Sequence, residues 1–420
     1  MQGPLKNRWL IAVAAVGIHI SIGSVYAYSV MINPLEKLVG WTKAEVTFAF
    51  SIAILFLGLS AAFLGFLVDK KGPRFSGRIS ACCYGLGILG TGLAVKLESY
   101  PLFVASYGVI GGIGLGLGYI TPVTTLMKWF PDRRGMATGM AIMGFGFAAL
   151  IFGPLMAYMF TSVNIPGTFF ILGSLYFILI FSSASYLAPP PKDWIPAGMK
   201  EGQAQQKRKE DLADLKAINA LKTRRFYFLW VMLFVNISCG IGIIAVASPL
   251  AQDVTGMSEL QAAGVVGLMG LFNGLGRIAW ASASDFLGRP LTYMAFFIIQ
   301  ILAFYFIVRT TEAWTFQILL YLILTCYGGG FATVPAFLGD LFGTRQVGTI
   351  HGYLLTAWSA AGIVGPAIIT GLNKSSGDYI STMNVYVLMF AGALVSTGLL
   401  WYNIRTIRAR KIKSDQLSAV

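Results

Sequence analysis

Long apolar runs alternate with short polar breaks along the whole chain. A spanning helix needs roughly 20 apolar residues. Twelve runs approach or exceed that length, at about 9–31, 44–67, 76–97, 102–126, 135–160, 166–188, 226–250, 260–282, 290–311, 313–337, 347–372 and 379–403. The first is too long for a signal peptide and lacks a small-residue cleavage site, so it reads as a helix. The pattern predicts an all-α polytopic membrane protein of twelve transmembrane helices.

The longest polar break divides the helices six and six. Residues 189–225 open with Pro189-Pro190-Pro191 and continue through Lys207-Arg208-Lys209-Glu210-Asp211, a charged linker that is partly helical at best. The expected organisation is a six-helix bundle over 1–188, a cytoplasmic linker over 189–225 and a second six-helix bundle over 226–420. The halves repeat one another. Asp69 and Gly72, after the second run, match Asp285 and Gly288, after the eighth, at one offset. Phe130 to Gly153-Pro154 recurs as Phe342 to Gly365-Pro366 at identical spacing. Two such echoes imply a duplicated unit. A loop carboxylate can bond an arginine and a neighbouring helix N-terminus, so Asp69, Arg74, Asp285 and Arg289 are gating candidates.

Composition agrees with this reading. Only 11% of residues are charged, against about 25% in soluble domains. The net charge of +14 could suggest nucleic acid, but its distribution excludes that. Of the 31 Lys and Arg, 25 fall on the side bearing both termini and 5 on the other. This asymmetry puts both termini in the cytoplasm; the expected location is a cell inner membrane. Cys82, Cys83, Cys239 and Cys326 all lie inside expected helices, without metal-ligand company. They read as buried free thiols, and neither a metal nor a cofactor is implied. No nucleophile–base pair or membrane-facing acid pair suggests an enzyme.

Arg277 is the one Lys, Arg, Asp or Glu near the middle of a run. A charge at that depth costs about 2.5–3.5 kcal/mol on insertion scales and marks a substrate path. The planar guanidinium fork suits a carboxylate. Asn273 lies four residues earlier, on the same helix face. It can bond a substrate oxygen, orient the arginine or serve as packing glue between helices.

The loop Gly65…Asp69-Lys70-x-Gly72-x-Arg74 resembles the loop 2–3 signature of the major facilitator superfamily, with Pro73 at a usually basic position. Trp129-Phe130-Pro131-Asp132-Arg133-Arg134-Gly135-Met136-Ala137-Thr138-Gly139 is similar to the helix 4–5 junction of oxalate/formate antiporters and monocarboxylate porters. Gly23-Ser24-Val25-Tyr26-Ala27-Tyr28 fits both groups, and Asn273-Gly274-x-x-Arg277 matches the antiporters' arginine position. The resemblance implies the twelve-helix transporter fold and a tyrosine counterpart for Tyr119. It also exposes departures. Trp358 stands where the antiporters carry a lysine, Asn273 where animal monocarboxylate porters carry an acid, and Val30 near those porters' lysine on helix 1.

One buried cation without an opposing carboxylate favours a monoanion, because a second substrate carboxylate left unpaired would cost several kcal/mol. The expected function is therefore transport of short monocarboxylates such as lactate or pyruvate, by proton-coupled symport and alternating access. An oxalate/formate-type anion exchanger is the alternative, and a transporter-like receptor is a more distant one. Arg277, Asn273, Tyr119 and Trp358 are the leading substrate-binding candidates. Tyr26, Tyr28, Tyr327 and Asn236 could equally be packing residues. His19 is a candidate for proton coupling, although it is placed nearer the cytoplasmic end. The implied partners are a small carboxylate, protons or a counter-anion, and the lipid bilayer, with the chain acting as a monomer.

Overall fold

The computed structural model describes residues 6–191, 194–196, 199, 211–376 and 379–418. The Lys207–Glu210 charge run of the linker lies outside them. Among the described residues, twelve helices are long and apolar enough to cross a membrane. In chain order they are α1 (Arg8–Ala27), α2 (Lys43–Leu64), α3 (Pro73–Lys96), α4 (Tyr100–Trp129), α5 (Arg134–Ser162) and α6 (Ile165–Tyr186). There follow α7 (Arg224–Thr255), α8 (Gly264–Leu287), α9 (Arg289–Ile307), α10 (Ala313–Phe342), α11 (Val347–Ile369) and α12 (Tyr379–Arg410). No strand occurs among the described residues.

Local chemistry sets the helix ends. A capping box of Thr42 and Glu45 starts α2, and Pro73 occupies the first position of α3. Gly72 and Gly288 hold φ of 86° and 84°, a region that favours glycine, so the two repeated turns share one backbone conformation. Three spans depart from regular α-helix. The last turn of α1, Gly23–Ala27, tightens to 3₁₀, and a separate short helix, Ser29–Val39, follows it. Val104–Gly111 in α4 widens to a π-helix. α11 breaks at Leu355, between helical pieces Val347–Leu354 and Thr356–Ser376. Such irregularities cluster at functional segments.

Large apolar side chains such as Phe63, Trp314 and Leu388 point outward from the bundle, as lipid contact requires. Cys82 is also exposed and Cys83 half-buried, so only Cys239 and Cys326 match the expectation of buried thiols. α3 packs along α6 and α1 along α5 in the first half, and α7 packs along α11 and α9 along α12 in the second.

Across the halves, α5 lies on α8 and α2 on α11. Both seams need glycine. A Cβ at Gly352 would sit 1.9 Å from the carbonyl oxygen of Ala61, and one at Gly135 2.0 Å from that of Ala281. Side-chain hydrogen bonds cross between the halves as well. Thr138 Oγ1 donates to Ala332 O at 2.7 Å and Ser359 Oγ to Leu55 O at 3.1 Å. These contacts lie between the bundle's middle and the side bearing the termini, so the structure is closed on that side.

Gly352→Val should prevent the α2–α11 seam from closing. Nitroxides at the exposed positions Lys71 and Phe286 would report it by pulsed electron resonance: the substitution should move the distance distribution to longer values, and an unchanged distribution would show that the seam tolerates the side chain.

Candidate functional site

Each half contributes a carboxylate that caps a helix of the other half. Asp285, at the end of α8, accepts hydrogen bonds from the backbone N–H of Gly135 and Met136, both at 2.9 Å, in the first turn of α5. Asp69, after α2, accepts at Oδ2 from Thr349 N (2.9 Å) and Thr349 Oγ1 (2.8 Å) in the first turn of α11. The first turns of helices leave N–H groups unsatisfied and carry partial positive charge, so an anion there is doubly favoured.

The two latches differ in their cations. Arg289 Nη2 pairs with Asp285 at 2.6 Å, and its Nε with Asp340 at 3.0 Å. Its Nη1 donates to Ser284 Oγ. Asp340 also holds Arg134 of α5 (3.1 Å), which in turn grips Asp211 of the linker at 2.6 Å. Arg134, Asp211 and Asp340 were not anticipated as latch members, although Arg134 lies within the second repeat and Asp340 two residues before it. At the matching position in the first half Asp340 is replaced by Lys128, which approaches Asp69 at 3.5 Å.

Arg74 does not join the latch. Its Nε donates to Leu187 O at 2.9 Å, tying α3 to the end of α6. The cause is a one-residue exchange. Gly72 is followed by Pro73-Arg74, whereas Gly288 is followed by Arg289-Pro290. One step along a helix turns a side chain by about 100°. Arg289 therefore reaches back to its own turn, while Arg74 faces another helix.

Deeper in the bundle Arg277 is fully buried in a slot between two glycines. A Cβ at Gly146 of α5 would lie 3.1 Å from its Nε, and one at Gly328 of α10 3.1 Å from its Cγ. Nε donates to Asn273 Oδ1 at 3.1 Å, so that oxygen orients the arginine. The outer edge of the guanidinium is almost unused. Nη1 has a long contact of 3.5 Å to Ile142 O, and Nη2 has no hydrogen-bond partner. The carbon of the guanidinium stands 5.3 Å from the Phe331 ring centroid and 5.8 Å from that of Phe145.

Aromatic groups surround this edge. Tyr119 packs edge-on to Trp358 at 5.3 Å, to Phe145 at 5.7 Å and to His19 at 5.4 Å. His351 lies 5.8 Å from Tyr119. Trp358 meets Phe331 at 4.7 Å. The Tyr119 hydroxyl, Trp358 Nε1, the Tyr26 hydroxyl, His351 Nδ1 and both His19 nitrogens are buried without a hydrogen bond of good geometry. Buried polar atoms normally have partners. Together with the unpaired edge of Arg277, these atoms form the candidate site, and its walls are aromatic.

The structure sorts the remaining sequence candidates. His19 belongs at the centre, against Tyr119, and not near the terminal end. Tyr26 touches Phe145 edge-on at 4.8 Å. Tyr327 lies within electrostatic reach of Arg277 and Tyr26. Tyr28 does not join them: its hydroxyl donates to Val46 O, and its ring packs on Phe50 and Tyr107. Asn236 is committed to holding helices together. Its Nδ2 donates to Tyr327 O and its Oδ1 accepts from Gln300, both at 3.1 Å. Phe145, Phe331 and His351 were missed or undervalued. Phe145 sits between Gly144 and Gly146, and Phe331 follows Gly328-Gly329-Gly330, so small residues beside a lone aromatic were the available signal.

Residues 14–366 match the family description Major Facilitator Superfamily. The oxalate:formate antiporter of Oxalobacter formigenes is 29% identical over 399 residues, covering 92% of this chain and 90% of its own. Human monocarboxylate transporter 2 is 24% identical over 423 residues, covering 94% and 84%. Among solved structures, the E. coli fucose:proton symporter superposes with a TM-score of 0.70 at 14% identity, over 94% of this chain and 99% of the other.

Asp285→Asn should weaken bonds worth about 1.5–3 kcal/mol each. The nitroxide pair at Lys71 and Phe286 should then show a substantial open population, whereas Arg74→Gln should leave the closed distance dominant. Equal behaviour of the two variants would refute the assignment of the latch to Asp285.

Proposed function

The chain belongs to the Major Facilitator Superfamily, and we propose that it carries short monocarboxylates, such as lactate or pyruvate, by proton-linked symport. It is a multi-pass membrane transporter close to oxalate:formate antiporters and monocarboxylate transporters. The observation that carries the substrate reading is the buried Arg277 with Nη2 free of partners and Nη1 nearly so. Two N–H groups on one edge of a planar guanidinium match the two oxygens of a carboxylate.

The same site argues for one negative charge. Trp358 fills the wall where the antiporter group has a lysine, so a second carboxylate would meet an indole N–H and aromatic carbon instead of a cation. Tyr119 and Trp358 can donate to the carboxylate or to an α-oxygen, and Phe145 and Phe331 suit a methyl or short alkyl tail. His19, within electrostatic reach of Arg277 and His351, is the group we assign to proton coupling. The surplus of Lys and Arg supports termini in the cytoplasm, with the closed side facing inward.

The test is labelled lactate uptake into empty proteoliposomes, with and without an inward proton gradient. Gradient-stimulated uptake is expected, falling at least about tenfold in Arg277→Lys, a loss of roughly 1.4 kcal/mol or more of recognition. His19→Gln should keep exchange of lactate for lactate but lose stimulation by the gradient. Uptake that appears only after preloading with another carboxylate would favour the exchanger instead.

Trp358→Lys should raise the ratio of oxalate to lactate affinity. An unchanged ratio would remove Trp358 from the substrate wall.

A further inference from the structure

A cavity on the side bearing the termini does not include Arg277 among its lining residues. Its volume is about 490 Å³. Trp401, Arg405 and Arg408 of α12 form one wall, and Leu291 at the start of α9 another. Pro131 and Arg134, from the first half, close it against Asp340 of the second.

The charges in this cavity are of two kinds. Arg134 and Arg289 are consumed by Asp211, Asp285 and Asp340. Arg405 and Arg408 have no carboxylate partner among the described residues. Both are exposed and they lie three residues apart, on one face of α12. Arg405 stacks over Trp401, its guanidinium carbon 4.4 Å from the ring centroid, which orients the fork. Tryptophan and arginine at a helix end are also the residues that settle at a bilayer's headgroup level. A paired cation site with an apolar wall, at the mouth of the membrane, suits an anionic phosphate attached to acyl chains.

We propose that this cavity binds the phosphate of an acidic membrane phospholipid and that the bound lipid favours the conformation closed on the terminal side. The second clause follows from which elements build the cavity. Pro131 and Arg134 belong to the first half, and Arg405, Arg408 and Asp340 to the second. Opening the latch takes these walls apart, so a ligand held between them binds the closed form better and shifts the equilibrium toward it. The site is independent of the substrate reading, because none of its residues touches Arg277.

The experiment compares wild type with Arg405→Gln/Arg408→Gln in nanodiscs of phosphatidylcholine, with or without phosphatidylglycerol. In wild type, phosphatidylglycerol should raise the melting midpoint by several degrees and narrow the Lys71–Phe286 nitroxide distances toward the closed value. Both effects should vanish in the double variant and return in Arg405→Lys/Arg408→Lys. Equal melting of wild type and double variant in pure phosphatidylcholine checks that the variant folds. No shift in wild type, or the same shift in both proteins, would overturn the proposal. Inorganic phosphate reproducing the full shift in pure phosphatidylcholine would overturn the lipid as the ligand and leave a free anion in its place.

Discussion

A guanidinium buried in a membrane protein, with no salt-bridge partner among the described residues, constrains everything around it. Desolvating Arg277 costs free energy that the slot does not return, since only Asn273 makes a good hydrogen bond to it. Two glycines make room for it, and two phenylalanines offer their ring faces as weak partners. An anion supplied from outside would complete the coordination. With the substrate bound at Arg277, as proposed, the energy of the centre would depend on occupancy, which is what a carrier needs if loading is to alter its conformational balance.

The latches and the centre are built on the same helices. α5 is capped by Asp285 at its first turn and presents Phe145 and Gly146 to Arg277 three turns later. α11 is capped by Asp69 at its first turn and carries His351 and Trp358 onto Tyr119. α8 bears both Asp285 and Arg277. A rigid rotation that withdraws either capped helix must therefore displace part of the central wall. Close glycine packing along the seams lets the backbones of the two halves approach one another directly.

Duplication produced two similar turns, and small differences gave them unequal strength. The order Arg289-Pro290 in place of Pro73-Arg74 puts a guanidinium beside one carboxylate and removes it from the other. Asp340 then extends the stronger latch to Arg134 and, through Asp211, to the segment joining the halves. The weaker latch keeps only Lys128. Unequal latches mean that one seam can loosen before the other.

Much of this was legible in the chain. Apolar runs fixed the twelve helices, because a bilayer forces each backbone to satisfy its own hydrogen bonds over a set length. The repeat revealed the paired turns, and Arg277 stood out because a charge at that depth demands a reason. What the sequence left open were matters of direction and company. Tyr28 and Asn236 looked like Tyr26 and Asn273, yet tertiary packing turned the first pair into structural hydrogen bonds and left the second pair at the centre. His19 seemed too near a helix end until α4 brought Tyr119 beside it. Arg134, Asp211 and Asp340 stand far apart in the sequence, and their network exists only because three separate segments meet. Helix formation is local and can be read from composition. Which polar atoms end without a partner depends on how distant helices pack, and that was decided by the tertiary structure alone.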